Sequence, residues 1–234
     1  MWRSTSKSDK SGFQYVKKSS AERLSNRALE HASKIMKSEI NLANASLSAD
    51  FDLIMKDGCV YLPEFLCRKN DLRVFNRLQQ EFKGTDAVKW SQHFKLEDPE
   101  LSETFREIIK RMSDHFDVEV LQTRLNYYPD ESSYKPMHKD RHAYGEGAEK
   151  IREDFTMGAS FGSSRNLDFQ HEESGCVFTF PQNNGDVFAF DANINKKFLH
   201  GVPKVSRKTG PRFSLIAWGI QNPKSTDTKS GLNV

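Results

Sequence analysis

The chain has 234 residues, 36% of them hydrophobic and 29% charged, with a net charge of +3, which describes one globular domain carrying an appendage. No window approaches eighteen consecutive apolar residues and the amino terminus has no apolar signal core, so neither a membrane span nor secretion is expected. The expectation is an intracellular protein, nuclear or cytoplasmic. Three cysteines, Cys59, Cys67 and Cys176, are an odd number without CxxC spacing, which fits reduced core thiols better than a disulfide framework or a zinc knuckle.

Residues 1–20 carry Arg3, Lys7, Lys10, Lys17 and Lys18 against Asp9, a net of +4, so the remainder is close to neutral. This Ser/Lys-rich stretch lacks periodicity and reads as a disordered tail, suited to phosphates or to a mitochondrial address. A helical extension follows over 21–57, where Ser19 and Glu22 have capping-box spacing and Leu24, Ala28, Ala32 and Ile35 recur at helical intervals. The segment 58–82 predicts a strand (Cys59 to Leu62), a turn at Pro63, and a helix with Leu72, Phe75, Leu78 and Phe82 on one face. A second helix spans 99–116, started by Pro99, with Leu101, Phe105, Ile108, Met112 and Phe116 inward.

Beyond residue 117 the pattern changes to strands: 118–128, 155–161, 167–170, 175–180, 185–190 and 211–219, separated by Gly, Asn, Pro and Ser. No 20- to 50-residue repeat suggests a solenoid. The expected class is α+β: a double-stranded β-helix (jelly roll) over 58–220 with supporting N-terminal helices, then a polar tail at 221–234.

Two His-x-Asp triplets occur. His115-Phe116-Asp117 ends a helix, where a histidine suits the negative end of the dipole. His138-Lys139-Asp140, in YKPMHKDRH, follows a strand and a turn-rich connection that place it at the rim of the sheet, where ligands are commonly mounted. Alternation along 118–128 puts Gln122, Arg124, Asn126 and Tyr128 on one face, and so polar an inward face suggests a cavity rather than a filled core. His200, in KKFLHGV, follows another strand. With His138 and Asp140 it makes a 2-His-1-carboxylate set, which suits divalent iron with open positions better than a closed zinc site. In the last strand Arg212, Ser214, Ile216 and Trp218 share a face. The Arg212 fork matches a carboxylate in that cavity or an interior acid of the protein.

Taken in order, Asn126-x-Tyr128, His138-x-Asp140, GDVFAF ahead of His200, and Arg212 in RFSLIAW resemble the AlkB-like 2-oxoglutarate and Fe(II)-dependent dioxygenases over roughly 58–220. The resemblance implies that His138, Asp140 and His200 bind iron. It implies that Arg212 holds the distal carboxylate of 2-oxoglutarate, with Asn126 and Tyr128 hydrogen-bonding that co-substrate and Ser214 assisting. The implied chemistry consumes 2-oxoglutarate and O2, releases succinate and CO2, and hydroxylates a C–H. On an N-methyl group of RNA or DNA this ends in formaldehyde and demethylation. The same chemistry on a protein or small molecule, or a non-catalytic binding module, are the alternatives.

One position departs from the pattern. Relatives that repair alkylated bases carry a second arginine six residues after the first; here that residue is Trp218, and Arg207 is the nearest extra arginine. Residues 85–100 occupy the place of the family's substrate lid, making Trp90, His93 and Phe94 candidates for stacking an extruded base. Lys139, Arg141 and His142 beside the iron loop, and Arg165 ahead of a strand, are candidates for phosphate or base contacts. His171, Glu172, Asp168 and Asp186 read as structural. Oligomeric state is not legible, with a monomer the default.

Overall fold

The structure, a computed structural model, describes residues 58–85, 88–140, 153–173, 175 and 177–222. The predicted N-terminal tail and helical extension, the tail beyond 222, and Cys176, Arg141 and His142 lie outside the described residues.

Strand β1 (Cys59–Leu62) is followed by helix α1 (Arg73–Glu81), which starts where the Asp71 carboxylate accepts from the Arg73 amide at 3.1 Å. Leu72, expected on the buried face, is instead the N-cap and 46% exposed. The second predicted helix is divided. Pro99–Leu101 is a separate 3-10 turn, because Ser102 turns extended and caps helix α2 (Glu103–Phe116) by accepting from the Phe105 amide at 3.0 Å. A cap of this kind stabilises by about 1 kcal/mol, and it leaves Leu101 outside the core, 49% exposed. Glu81 of α1 accepts from the Ser102 and Thr104 hydroxyls, tying the two helices together. Asp117 ends α2 in the left-handed conformation, φ 53°.

Strand β2 (Phe94–Leu96) is followed by β3 (Val118–Tyr128), β4 (Lys135–His138), β5 (Phe155–Gly162), β6 (Arg165–His171), β7 (Val177–Gln182) and β8 (Val187–Asp191). A short helix α3 (Ala192–Lys197) leads to β9 (Phe198–Val202) and β10 (Arg212–Gln221). They form a six-stranded sheet, β1-β8-β5-β10-β3-β2, and a four-stranded sheet, β4-β9-β6-β7, in antiparallel pairs. This is the expected jelly roll. Three strands were not anticipated: β2, β4 and β9.

Strand alternation divides the large sheet into two environments. Leu125 and Tyr127, Met157 to Phe161 at odd positions, Val187 and Ala189, and Phe213, Leu215 and Ala217 pack with Phe75, Leu78, Phe105 and Met112 of the helices into one core. The opposite face, with Asn126, Tyr128, Thr156, Ser160 and Ser214, is polar and belongs to the interior of the roll. Between the sheets Phe169 stacks on Phe178 at 5.2 Å and meets Phe190 edge-on at 5.3 Å. The turn into β8 is held by Asp186, which accepts from the Tyr61 hydroxyl at 2.6 Å and the Glu64 and Asn183 amides. Gly185 there has φ +86°, and a Cβ would lie 2.0 Å from the Cys67 carbonyl oxygen, so a side chain is excluded. Among the described residues no helix is long and apolar enough to cross a membrane, and Cys59 and Cys67 are free thiols.

Candidate metal centre and its cavity

His138 and His200 face each other directly across the β4–β9 pair, with ring centroids 4.4 Å apart. Asp140 lies two residues beyond His138, just past the strand end, so alternation returns its side chain to the same side. His138 Nε2 and His200 Nε2 stand 3.6 and 3.5 Å from the same carboxylate oxygen, Asp140 Oδ1. One ligand atom from each residue falls within 4.8 Å of the others, the one such cluster found among the described residues.

The surroundings prepare these groups for a cation. His138 Nδ1 donates to the Pro136 carbonyl at 3.0 Å, which leaves the Nε2 lone pair free. Burial, and then the facing His200, lower its pKa to about 4, so the ring is neutral at pH 7. Phe190 and Phe169 hold the His200 ring at 4.9 and 5.9 Å. Burial works against a charged Asp140, but hydrogen bonds from His200 and Trp218 hold its carboxyl well below the usual range. Its main chain is fixed on both sides: the amide donates to Asn195 Oδ1 at 3.1 Å, and Asn195 Nδ2 donates to the carbonyl at 3.2 Å. Two imidazoles and one carboxylate on one side leave the other side open, the donor set and openness suited to Fe(II).

That open side is a cavity of about 210 Å³ lined by the triad with Asn126, Tyr128, Thr156, Gln182, Ser214, Trp218 and the rings of Phe188 and Phe190. Arg212 sits behind the wall, 1% exposed, its guanidinium 5.2 Å from the centre of the Tyr128 ring. Arg212 Nε donates to Ser160 Oγ at 2.9 Å and Nη2 to Gln182 Oε1, while Nη1 has no partner. Burial lowers its pKa to about 10, which still leaves it charged at neutral pH. No carboxylate among the described residues pairs with it, so the alternative of an interior acid has no counterpart here. A buried, uncompensated guanidinium with a free N–H fits the carboxylate of a bound acid. Gln182 and Thr156 were missed from sequence. Thr156, Gly158 and Ser160 alternate along β5 and carried a signal for a polar face, whereas Gln182 lies beyond the stretch read as a strand.

Two of the three lid candidates, Trp90 and Phe94, lie elsewhere. Trp90 meets Phe94, Tyr127 and Phe213 edge-on at 5.8, 5.1 and 6.2 Å, and Phe94 stacks on Tyr127 at 4.9 Å. Both therefore pack on the helix-side core, because β2 pairs with β3 and sets Phe94 opposite Tyr127. His93 is at the edge of the Tyr128 ring, 5.0 Å away. Arg165 is buried and donates to the Asp130, Ser133 and Pro203 carbonyls, clasping the connection into β4 rather than facing a substrate. Lys139 lines the cavity but is paired with Glu172 at 2.5 Å. Arg207 is exposed and is not part of the cavity lining.

Trp218, at the position where the resemblance expects a second arginine, donates its indole Nε1–H to Asp140 Oδ2 at 2.9 Å, leaving Oδ1 to face both imidazoles. Arg124 lies over the indole at 5.3 Å and is itself paired with Glu97 at 2.8 Å. Trp218→Phe keeps an aromatic ring, though a smaller one, and removes the donor. Outer-shell hydrogen bonds of this kind change metal affinity by about 10- to 100-fold. Titration with Mn(II), followed by the electron paramagnetic resonance of free metal, is expected to show that loss, with the far-ultraviolet circular dichroism of the metal-free protein unchanged.

A family model described as the 2OG-Fe(II) oxygenase superfamily matches residues 69–226. No curated protein matches the chain. Solved structures similar to it include a prolyl-4-hydroxylase of Pseudomonas putida, 15% identical over 76% of this chain and 100% of that one, TM-score 0.49. OsALKBH1 is 15% identical over 69% and 97% of the two chains, TM-score 0.45. The viral collagen prolyl hydroxylase of Paramecium Bursaria Chlorella virus-1 is 15% identical over 68% and 87%, TM-score 0.48. Because the family match covers about two thirds of the chain, from α1 through β10, and contains all three clustered ligands, the chain belongs to the 2OG-Fe(II) oxygenase superfamily and is an oxidoreductase that uses Fe(II), 2-oxoglutarate and O2.

Proposed function

We propose that the chain is an AlkB-like dioxygenase that demethylates N-methylated bases in RNA or DNA, with the cavity beside the triad as its active site. The observation that carries this reading is the pairing of two features on one face of the roll. His138 and His200 converge on Asp140, and an uncompensated Arg212 lies behind the same cavity wall. His138, Asp140 and His200 would hold the iron. Arg212, with Ser214 beside it on β10, would take the distal carboxylate of 2-oxoglutarate, and Asn126 and Tyr128 would hydrogen-bond the same molecule.

Bound Fe(II), with 2-oxoglutarate and O2, supplies an oxidation in which one oxygen atom enters succinate, CO2 is released, and the other oxygen atom is inserted into a substrate C–H. The residues of the chain hold and orient. Trp218 and Thr156 occupy the Asp140 oxygen that faces away from the histidines, at 2.9 and 3.4 Å. Phe188, Phe190 and Ile216 keep the cavity wall apolar, which limits water beside the reacting group. An N-methyl group oxidised there becomes an N-hydroxymethyl group, which breaks down to formaldehyde and the free nitrogen.

The test begins anaerobically: Fe(II) and 2-oxoglutarate are added to the purified chain, and a visible charge-transfer band is expected. Oxygen and methylated single-stranded oligonucleotides are then admitted, and formaldehyde and succinate are measured together. Equimolar release that depends on the methyl group supports the proposal. Succinate without formaldehyde across RNA and DNA would move the substrate to a protein or small molecule, and an absent band would remove the oxygenase reading of these residues.

A further inference from the structure

The cavity mouth carries more positive charge than the chemistry inside requires. Lys95, Arg124, Lys135 and Lys139 all line it, and among the described residues the one acid in the lining is Asp140, which faces the two histidines. Two of the four cations are neutralised: Arg124 by Glu97 at 2.8 Å and Lys139 by Glu172 at 2.5 Å. Lys95 and Lys135 have no ion pair among the described residues.

These two lysines come from opposite sheets. Lys95 lies on β2, directly across from Asn126 of β3, whereas Lys135 opens β4 and pairs with Val202 of β9. They therefore bracket the cavity from its two walls. Their fields overlap: burial, followed by the charges of Lys95 and Arg124, pushes the Lys135 ammonium below its ordinary range, and burial followed by Lys95 and Lys135 does the same to His93. Like charges gathered at a half-buried mouth are mutually unfavourable until an anion sits between them.

We infer that Lys95 and Lys135 form an anion subsite at the cavity mouth that takes a backbone phosphate flanking the base to be oxidised. The inference rests on the nucleic-acid reading above and makes it more specific. Two ammonium groups on separate sheets grip one phosphate from both sides and hold the strand while the base enters, a positioning contact indifferent to sequence. Lys139 and Arg165, cations expected from sequence to meet phosphates, are not available in this way, because Lys139 is paired with Glu172 and Arg165 is buried against main-chain carbonyls.

The experiment uses the full chain loaded with Mn(II) and 2-oxoglutarate. Calorimetry measures the binding of N-methyladenosine, of its 3′,5′-bisphosphate and of tetraglutamate, to the wild type and to a Lys95→Ala/Lys135→Ala variant. Both lysines are partly or wholly exposed, so the variant is expected to fold. The bisphosphate should bind the wild type at least about 10-fold more tightly than the nucleoside. That advantage should vanish in the variant while its Fe(II)–2-oxoglutarate band stays unchanged, and in single-stranded oligonucleotides each lost phosphate contact should flatten the log K against log salt slope by about 0.7. An equal affinity for nucleoside and bisphosphate, or an advantage that survives the substitution, overturns the subsite. Tetraglutamate binding in place of the bisphosphate overturns it in favour of an acidic peptide. A higher 2-oxoglutarate requirement in the variant assigns the lysines to the co-substrate and overturns it too. A bisphosphate advantage in a protein without the metal band would sustain the subsite and sink the oxygenase reading of the triad, so the two failures are separable.

Discussion

His200→Ala is expected to abolish the visible band formed with Fe(II) and 2-oxoglutarate and to weaken Mn(II) binding by more than about 100-fold, since even outer-shell partners change metal affinity by 10- to 100-fold. His200 supplies one of the three convergent atoms, and its ring is held by Phe190 and Phe169 with 7% exposure. A water cannot be placed by the protein as firmly as that imidazole. The strand pairing of β9 with β4 and β6 is a main-chain property, so the variant should keep its far-ultraviolet circular dichroism. His115→Ala provides the contrast. His115 belongs to the other His-x-Asp triplet but lies against Phe65 at 4.6 Å, on the helical side of the molecule, and its loss should leave the band intact. Equal loss in both variants would mean that the effect is one of folding, and a band that survives His200→Ala would place the metal elsewhere.

The difference between these two triplets was legible in sequence because it depends on the surrounding period. His115 closes a helical pattern and His138 follows a long alternating run, and the structure shows that contrast in α2 and β4. The face assignments of β3 and β10 were legible for the same reason: a period of two leaves one choice of side once a polar face is recognised. Short strands were not. β2 has three residues, β4 has four with an irregular register, and β9 is entered directly from a helix, so none presents enough alternation to stand out. Missing β2 had a cost, because its pairing puts Phe94 opposite Tyr127 on the core side. An aromatic segment with the composition of a stacking lid was thereby spent on packing, while Lys95 between those positions was delivered to the cavity. Trp218 illustrates the opposite limit. Its face was readable, but its hydrogen bond to Asp140, 78 residues away in the chain, is a tertiary fact that no local pattern contains.

Arg212→Met should separate the co-substrate from the fold. Truncating one partner of a buried charge pair typically costs about 2–5 kcal/mol, so the concentration of 2-oxoglutarate needed to develop the band is expected to rise by about 30-fold or more. Arg212→Lys keeps the charge but lacks the planar fork, and should recover part of that loss. A structural arginine would behave differently. If Arg212 served mainly to hold Ser160 and Gln182, its replacement would lower the melting temperature of the ligand-free protein. Because Nη1 has no partner and the charge no counter-ion among the described residues, the free protein bears a desolvation that the hydrogen bonds to Ser160 and Gln182 offset only in part. Exchanging a buried charge for an apolar chain of similar reach is often neutral or stabilising. The melting temperature of the free variant is therefore expected to stay the same or rise. In the wild type, Mn(II) with 2-oxoglutarate at 100 times its dissociation constant should add about 2.7 kcal/mol, and most of the co-substrate's share of that gain should be missing in Arg212→Met. A variant that melts several degrees lower yet responds to 2-oxoglutarate as the wild type does would assign Arg212 to the fold and leave the carboxylate to be held by Asn126, Tyr128 and Ser214.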